Sequence, residues 1–262
     1  MTKKEEIEDK LHYLENKYDV KVLLAVESGS RAWGFESKNS DWDVRFIYVH
    51  KPRWYFTVEH GRDVIELMYG DIDMAGWELR KALGLLKRSN PSLLEWLNSP
   101  IVYYANEDFT ERIRNAANLF YNPIVSMYHY NRMYAKHDAR YLQREECEMK
   151  RFLYYLRGVL ACKWLDGNNT LPPVAFKELV EATVEDKGMR DKIERLVELK
   201  KSGAEHDLEV VDKDLMKYAR DMGDYYNGRV NTFRPEREEC TADVLDAILY
   251  DMVMAHAIVT KQ

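Results

Sequence analysis

The stretch SGSRAWGFESKNSDWDVRFIYV, residues 28–49, decides the fold. It follows directly on residues 21–26 (KVLLAV), a short apolar run that predicts a buried strand ending in a turn at residues 27–30. Residues 43–49 (DVRFIYV) predict a second strand, which ends before Pro52 because proline cannot donate to a ladder. The residues between, 31–40, are rich in Gly, Ser, Asn and Lys and predict a loop.

A pair of carboxylates opens the second predicted strand. Asp41 and Asp43 stand at positions i and i+2, so both side chains point to the same face. Two parallel carboxylates repel each other and need a counter-charge, for which a divalent cation is the usual one. The Gly29-Ser30 turn lets backbone N–H groups approach an anion closely, because glycine has no Cβ. Together the parts predict a Mg²⁺-bound triphosphate held between turn and carboxylates, although singly each is also an ordinary turn or cap.

The rest of the chain divides into a short α/β part and a long helical part. Helical spacing of Ile7, Leu11 and Leu14 predicts a first amphipathic helix. Further strands are predicted at residues 64–69 and 71–74, and a helix at 77–86. Beyond these, helical periodicity dominates in residues 109–120, 124–146, 149–165, 174–183, 189–200, 212–227 and 242–259. We therefore expect an α+β protein with a small α/β domain over residues 1–120 and an α-helical domain over residues 121–262.

Composition excludes several classes of protein. With 46% hydrophobic and 32% charged residues in 262, the chain can build a core and is not disordered. Its net charge of −6 argues against an extended basic footprint on duplex DNA. The N-terminus has no apolar stretch of a signal peptide, so we expect a cytoplasmic protein without a membrane partner. Three widely spaced cysteines predict reduced thiols, and neither a P-loop nor a GxGxxG motif occurs.

The Gly-Ser turn followed by D-x-D on the next strand resembles the nucleotidyltransferase superfamily of the DNA polymerase β type. The wider run, continued by GWELRKALGLLKRSNPSLLEWLNSPIVY at residues 76–103, is similar to its bacterial and phage RNA-repair-pathway branch. The resemblance covers most of residues 20–105 and continues more weakly at residues 150–164 and 172–173. It implies transfer of a nucleoside monophosphate from an NTP, with ATP expected, to a hydroxyl acceptor, with release of pyrophosphate and two Mg²⁺ ions.

The resemblance also implies a third carboxylate on a neighbouring strand. The family's layout places it on a strand that leads toward a helix, which favours Asp73, although Asp73 also fits a helix cap. Glu66 is the second candidate for the third carboxylate, and Asp71 is the least favoured one. Asp41 and Asp43 are then expected to bind the metal that carries the β- and γ-phosphates, and Asp73 to complete the second metal site and help deprotonate the attacking hydroxyl.

Basic residues outside this set are candidates for phosphate contact. Arg31 follows the Gly-Ser turn, and Arg45 shares the face of Asp43, where it holds either a carboxylate or the nucleotide or forms a structural ion pair. Residues 131–157 carry an excess of Lys and Arg with interleaved tyrosines, which suits RNA contact as well as a solvated helix face. Lys150 and Arg157, in the family-like KRFLYYLRG stretch, are the preferred triphosphate contacts. The expected nucleotide-binding set is Gly29, Ser30, Arg31, Lys150 and Arg157.

Three functions follow from these features. The first is addition of a nucleotide to an RNA 3′ end, of tRNA among others, in repair. The second keeps the chemistry and changes the acceptor to a protein or small-molecule hydroxyl, since one fold supports all of these. The third is a non-catalytic nucleotide-binding partner protein. The oligomeric state is left open.

Overall fold

The computed structural model describes residues 2–59, 61–141, 146–203, 208–235 and 240–259. The described strands are β1 (Val20–Glu27), β2 (Trp42–His50), β3 (Val64–Tyr69), β4 (Ile72–Glu78), β5 (Val102–Ala105), β6 (Glu146–Glu148) and β7 (Leu208–Val210). The helices are α1 (Lys3–Tyr18), α2 (Gly29–Trp33), α3 (Pro52–Tyr55), α4 (Leu79–Lys87), α5 (Pro91–Leu97), α6 (Glu107–Phe120), α7 (Pro123–Tyr141), α8 (Met149–Asn168), α9 (Phe176–Thr183), α10 (Lys187–Lys201), α11 (Lys213–Arg229) and α12 (Asp243–Val259).

The chain divides into two compact units, each of which is discontinuous in sequence. The first comprises Met1–Ala32, Asp41–Tyr121 and Glu238–Gln262, and the second comprises Trp33–Ser40 and Asn122–Arg237. One division lies near residue 121, and the domains expected at residues 1–120 and 121–262 stay a prediction. Two segments depart from a single boundary, because residues 33–40 join the helical unit and α12 joins the sheet unit. Local sequence patterns cannot reveal which unit these two segments join, since that depends on contacts between distant parts of the chain.

A five-stranded sheet in the order β3-β4-β2-β1-β5 forms the centre of the first unit. β2 pairs antiparallel with β1 and parallel with β4. The parallel pairing places Asp43 opposite Asp73, so two carboxylates 30 positions apart become cross-strand neighbours. This register brings the predicted third carboxylate to the D-x-D motif.

One face of this sheet is covered by α1. Ile7, Leu11 and Leu14 of this helix lie in one hydrophobic cluster with Val44 and Phe46 of β2. Because successive residues of a strand point to opposite faces, Asp43 and Arg45 lie on the other face from Val44 and Phe46. The amphipathic helix predicted at the N-terminus is thereby confirmed, and it packs away from the carboxylates.

Most predicted elements of the first unit are present, with several differences. β1, β2 and β3 agree with the predicted strands within a residue at each end. The loop expected after the Gly-Ser turn instead begins as the short helix α2, and β4 continues through Trp77 and Glu78, where a helix was predicted. β4 extends because both of its neighbours, β2 and β3, pair with it along its length. α3, α5 and β5 were not predicted.

The second unit is a helical assembly around α8, which contacts α7, α9, α10 and α11. Its buried residues lie on all sides of the helix, as a central helix requires, and include Phe152, Leu156 and Leu160. A small antiparallel pair of strands, β6 and β7, accompanies these helices. Among the described residues Cys162 and Cys240 are free thiols. The side chain of Cys147 is not among those that the structure describes.

Within the described parts of the chain, none of the helices is both long enough and apolar enough to cross a membrane.

Candidate active site

The turn after β1 approaches the second carboxylate of the D-x-D motif closely. Gly29 has φ +62°, and a Cβ at this position would lie 2.4 Å from Oδ2 of Asp43. The backbone N–H of Ser28 donates to the carbonyl oxygen of Asp43 over 2.9 Å, which fixes the turn against β2. Glycine is therefore required here by both conformation and space. Ser30 is buried beside it.

Arg45 joins the two carboxylates that the parallel register makes neighbours. Its Nη2 donates to Oδ1 of Asp43 over 2.8 Å and to Oδ2 of Asp73 over 2.9 Å. Its Nη1 donates to the carbonyl oxygens of Asp73 and Val44 over 3.0 and 3.2 Å. Of the alternatives left open for Arg45, the structure places the guanidinium on the carboxylates.

A buried carboxylate lies directly behind the motif. Glu27, the last residue of β1, is fully buried. Its Oε1 accepts from the backbone N–H of Asp43 over 2.9 Å, and its Oε2 accepts from the hydroxyl of Tyr103. Burial raises the pKa of Glu27, while these hydrogen bonds lower it by a smaller amount. Glu27 thus ties the start of β2 to the end of β1.

Asp41 lies directly before β2, and Arg31 bonds to its backbone. Nε of Arg31 donates to the carbonyl oxygen of Asp41 over 3.1 Å, and its guanidinium lies 3.9 Å from the ring centre of Trp42. Trp42 packs against the hydrophobic cluster under the sheet. In this conformation Arg31 holds the backbone of the D-x-D motif, and its contact with phosphate stays a prediction.

The electrostatics of Asp43 favour a cation at this point. Burial raises the pKa of Asp43, Arg45 lowers it, and the charges of Asp73 and Asp41 raise it. Carboxylate oxygens are the ligands that Mg²⁺ prefers, so this donor set fits a divalent cation by its chemistry. In the described residues, however, no three His, Cys, Asp or Glu side chains converge as a metal site, and Arg45 lies between Asp43 and Asp73.

The other two carboxylates considered for the third position point elsewhere. Glu66 on β3 is exposed and pairs with Arg62 over 2.8 Å. Asp71 is exposed and pairs with Lys3 over 2.9 Å. In the described chain the guanidinium of Arg45 bonds to Asp43 and Val44 of β2 and Asp73 of β4, and to neither of these two. Geometry therefore favours Asp73 as the partner of Asp43, while its role in metal binding stays a prediction.

The predicted triphosphate contacts Lys150 and Arg157 both lie on α8, in the second unit. Lys150 is half-buried, and Arg157 is only 1% exposed. The guanidinium of Arg157 lies 4.3 Å from the ring centre of Trp33 within the same unit. Residues 142–145 of the basic, tyrosine-rich segment lie outside the described residues, as do the side chains of residues 136–148. Contact of Lys150 and Arg157 with nucleotide stays a prediction.

Sequence reasoning missed Glu27 and Tyr103. The available signal was a charged residue that ends an apolar strand directly before the Gly-Ser turn. The partner of Glu27 could not be found in this way, because Tyr103 lies on β5 and 76 positions away in sequence. Only the pairing of β1 with β5 brings the two side chains together.

The raised pKa of Glu27 predicts a pH dependence of stability. A raised pKa means that the folded state holds the proton more tightly than the unfolded chain does. The stabilisation by this proton is therefore complete below the ordinary value of 4.5 and is lost as pH rises through the raised value. The free energy of unfolding of Glu27→Gln, relative to wild type, is expected to increase over that window.

Urea unfolding of both proteins at a series of pH values measures this difference. Glu66→Gln removes one carboxylate from the exposed side of β3 and controls for the change of net charge. The free energy of unfolding of Glu27→Gln minus that of wild type should increase as pH rises. A decrease would contradict the assignment of a raised pKa to Glu27.

The chain is similar to several known proteins. The RNA repair pathway DNA polymerase beta family matches residues 3–251. The chain is 47% identical over 207 residues to the protein YcgL of Bacillus subtilis (strain 168), described as uncharacterized, covering 79% of this chain and 80% of that one. A nucleotidyltransferase-like protein from Exiguobacterium sibiricum 255-15 aligns over 97% of this chain and 91% of its own, with 13% identity and a TM-score of 0.30. By the family match, the chain belongs to the RNA repair pathway DNA polymerase beta family and is a nucleotidyltransferase.

Proposed function

We propose that this protein transfers a nucleoside monophosphate from an NTP, with ATP the expected donor, to the 3′ end of an RNA, and releases pyrophosphate. The observation that carries the proposal is the contact between Gly29 and Asp43, with Asp73 beside Asp43 across the parallel strands. A glycine turn packed against paired carboxylates is the arrangement that a metal-bound triphosphate needs.

Each residue of the group has a role that follows from its chemistry. Asp41, Asp43 and Asp73 would hold Mg²⁺, which when bound neutralises charge on the triphosphate and lowers the pKa of the attacking hydroxyl. The backbone N–H groups at Gly29 and Ser30 would donate to phosphate oxygens. Asp73 would accept the proton of the attacking hydroxyl. The hydroxyl oxygen then forms a bond to the α-phosphorus, and the bond from this phosphorus to pyrophosphate breaks.

An RNA acceptor is supported by two features. The family to which the chain belongs is an RNA repair family. Residues 131–157 carry an excess of basic residues in a chain of net charge −6, which suits phosphate contact, whereas Tyr134 and Tyr155 of this stretch are buried. The same negative net charge is the feature that favours the alternative acceptor, a protein or small-molecule hydroxyl.

Labelling with each α-³²P NTP in turn tests the proposal. Wild type and Asp43→Ala are incubated with Mg²⁺ and total RNA, and the RNA and protein products are resolved on denaturing gels. Label on RNA with the wild type alone is expected, and it also names the nucleotide. Label on protein alone would replace RNA by a protein acceptor, and no label on either would contradict the RNA proposal.

A further inference from the structure

A single nitrogen of Arg45 stands between the two paired carboxylates. Nη2 lies 2.8 Å from Oδ1 of Asp43 and 2.9 Å from Oδ2 of Asp73. Only 17% of the Arg45 side chain is exposed, and its Nη1 is bonded to two backbone carbonyl groups of the same strands. The guanidinium is therefore well anchored in this position.

A cation shared by Oδ1 of Asp43 and Oδ2 of Asp73 would have to take this position. A Mg²⁺ ion lies about 2.1 Å from its carboxylate oxygens, which is shorter than these nitrogen to oxygen distances. A metal ion and a guanidinium nitrogen cannot both lie between the same two oxygens. In addition, two cations this close repel each other strongly at the low effective dielectric of a half-buried site.

We propose that Arg45 is a displaceable internal counter-cation, which holds Asp43 and Asp73 together without metal and has to leave them when a divalent cation bridges them. The inference rests on the proposed function and adds a positioning residue to it. It accounts for the lack of a three-ligand metal site among the described side chains, even though the carboxylates are of the right kind. Metal affinity is then set partly by competition with Arg45.

Manganese binding to the full chain, followed by electron paramagnetic resonance of free Mn²⁺, tests this inference without any turnover. Arg45→Gln removes the competing charge and keeps a polar side chain, so it is expected to bind Mn²⁺ about tenfold more tightly than wild type. Asp43→Asn is expected to lose the binding in both backgrounds. Arg62→Gln is the matched control, since Arg62 forms an ion pair of the same 2.8 Å length on the exposed side of the unit. Its Mn²⁺ affinity is expected to equal that of wild type.

The outcomes separate this inference from the proposed function. Mn²⁺ binding that depends on Asp43 but is equal or weaker in Arg45→Gln overturns the competition and leaves the proposed function standing. Absence of Asp43-dependent binding in both wild type and Arg45→Gln overturns the competition together with the metal-dependent part of the proposed function.

A second measurement follows metal binding on the wild-type protein itself and uses a variant only to assign one resonance. The side-chain Nε–H resonance of Arg45 in ¹⁵N-labelled protein, assigned by comparison with Arg45→Lys, is followed during a Mg²⁺ titration. Displacement predicts a shift of this resonance with the same midpoint as Mg²⁺ binding. An Arg45 resonance that stays in place while Mg²⁺ binds would overturn the inference.

Discussion

Asp43→Asn is expected to lower the rate of nucleotidyl transfer by about 10³-fold or more, because a charged group that stabilises the transition state is lost. Asp43 is the residue on which the other parts converge, since Arg45 donates to its carboxylate, Gly29 lies close to that carboxylate, and Glu27 accepts from its backbone N–H. Asparagine keeps the shape and one carbonyl oxygen as an acceptor for Arg45. Initial rates of pyrophosphate release with wild type and variant measure the effect.

Asp71→Asn provides the matched control for this change. Asp71 lies two positions before Asp73, and its side chain is exposed and paired with Lys3. An exposed ion pair of this kind contributes little to stability, so the variant is expected to fold and to keep wild-type activity. Equal rates for Asp43→Asn and wild type, or an equal loss in Asp71→Asn, would contradict the assignment of the site.

Gly29→Ala is expected to lower activity by about 100-fold, because displacement of a reacting group by about 1 Å can cost that much. The new Cβ would lie 2.4 Å from Oδ2 of Asp43, so the carboxylate has to move. The positive φ of Gly29 adds a cost in stability of about 1–2 kcal/mol for a residue with a side chain. Thermal unfolding and initial rates measured on the same preparation give both quantities.

Gly70→Ala separates the effect of the contact with Asp43 from the effect of the positive φ. Gly70 has φ +59°, close to the +62° of Gly29, but no atom lies within 4 Å of the Cβ that alanine would add. The variant is expected to lose similar stability and to keep its activity. If Gly29→Ala and Gly70→Ala lose activity equally, the contact between the turn and Asp43 has no part in catalysis.

Local sequence patterns predicted the part of the site that is local in sequence. Gly29, Asp41 and Asp43 lie within one strand, turn and strand unit, where apolar runs and turn residues indicate the geometry directly. The choice of Asp73 over Glu66 needed the layout of a known family. In the structure β4 rather than β3 pairs with β2, which places Asp73 beside Asp43, and the role of Asp73 as third carboxylate stays a prediction.

Contacts between distant segments were beyond such patterns. Tyr103 reaches Glu27 only through the pairing of β5 with β1, and β5 is a short edge strand of four residues without clear alternation. Arg45 was recognised as facing Asp43, but its simultaneous contact with Asp73 depends on the parallel register. The assignment of residues 33–40 to the helical unit has the same origin, since Phe35 is buried against Tyr154 and Phe176.

The most direct test of the central claim compares two labels of the same nucleotide. With α-³²P NTP and wild-type protein, an acceptor is expected to gain label. With γ-³²P NTP it is expected to gain none, because the γ-phosphate is released as part of pyrophosphate. Asp43→Asn is expected to transfer neither label. Transfer of the γ-label, or equal transfer of the α-label by wild type and Asp43→Asn, would contradict nucleotidyl transfer at this site.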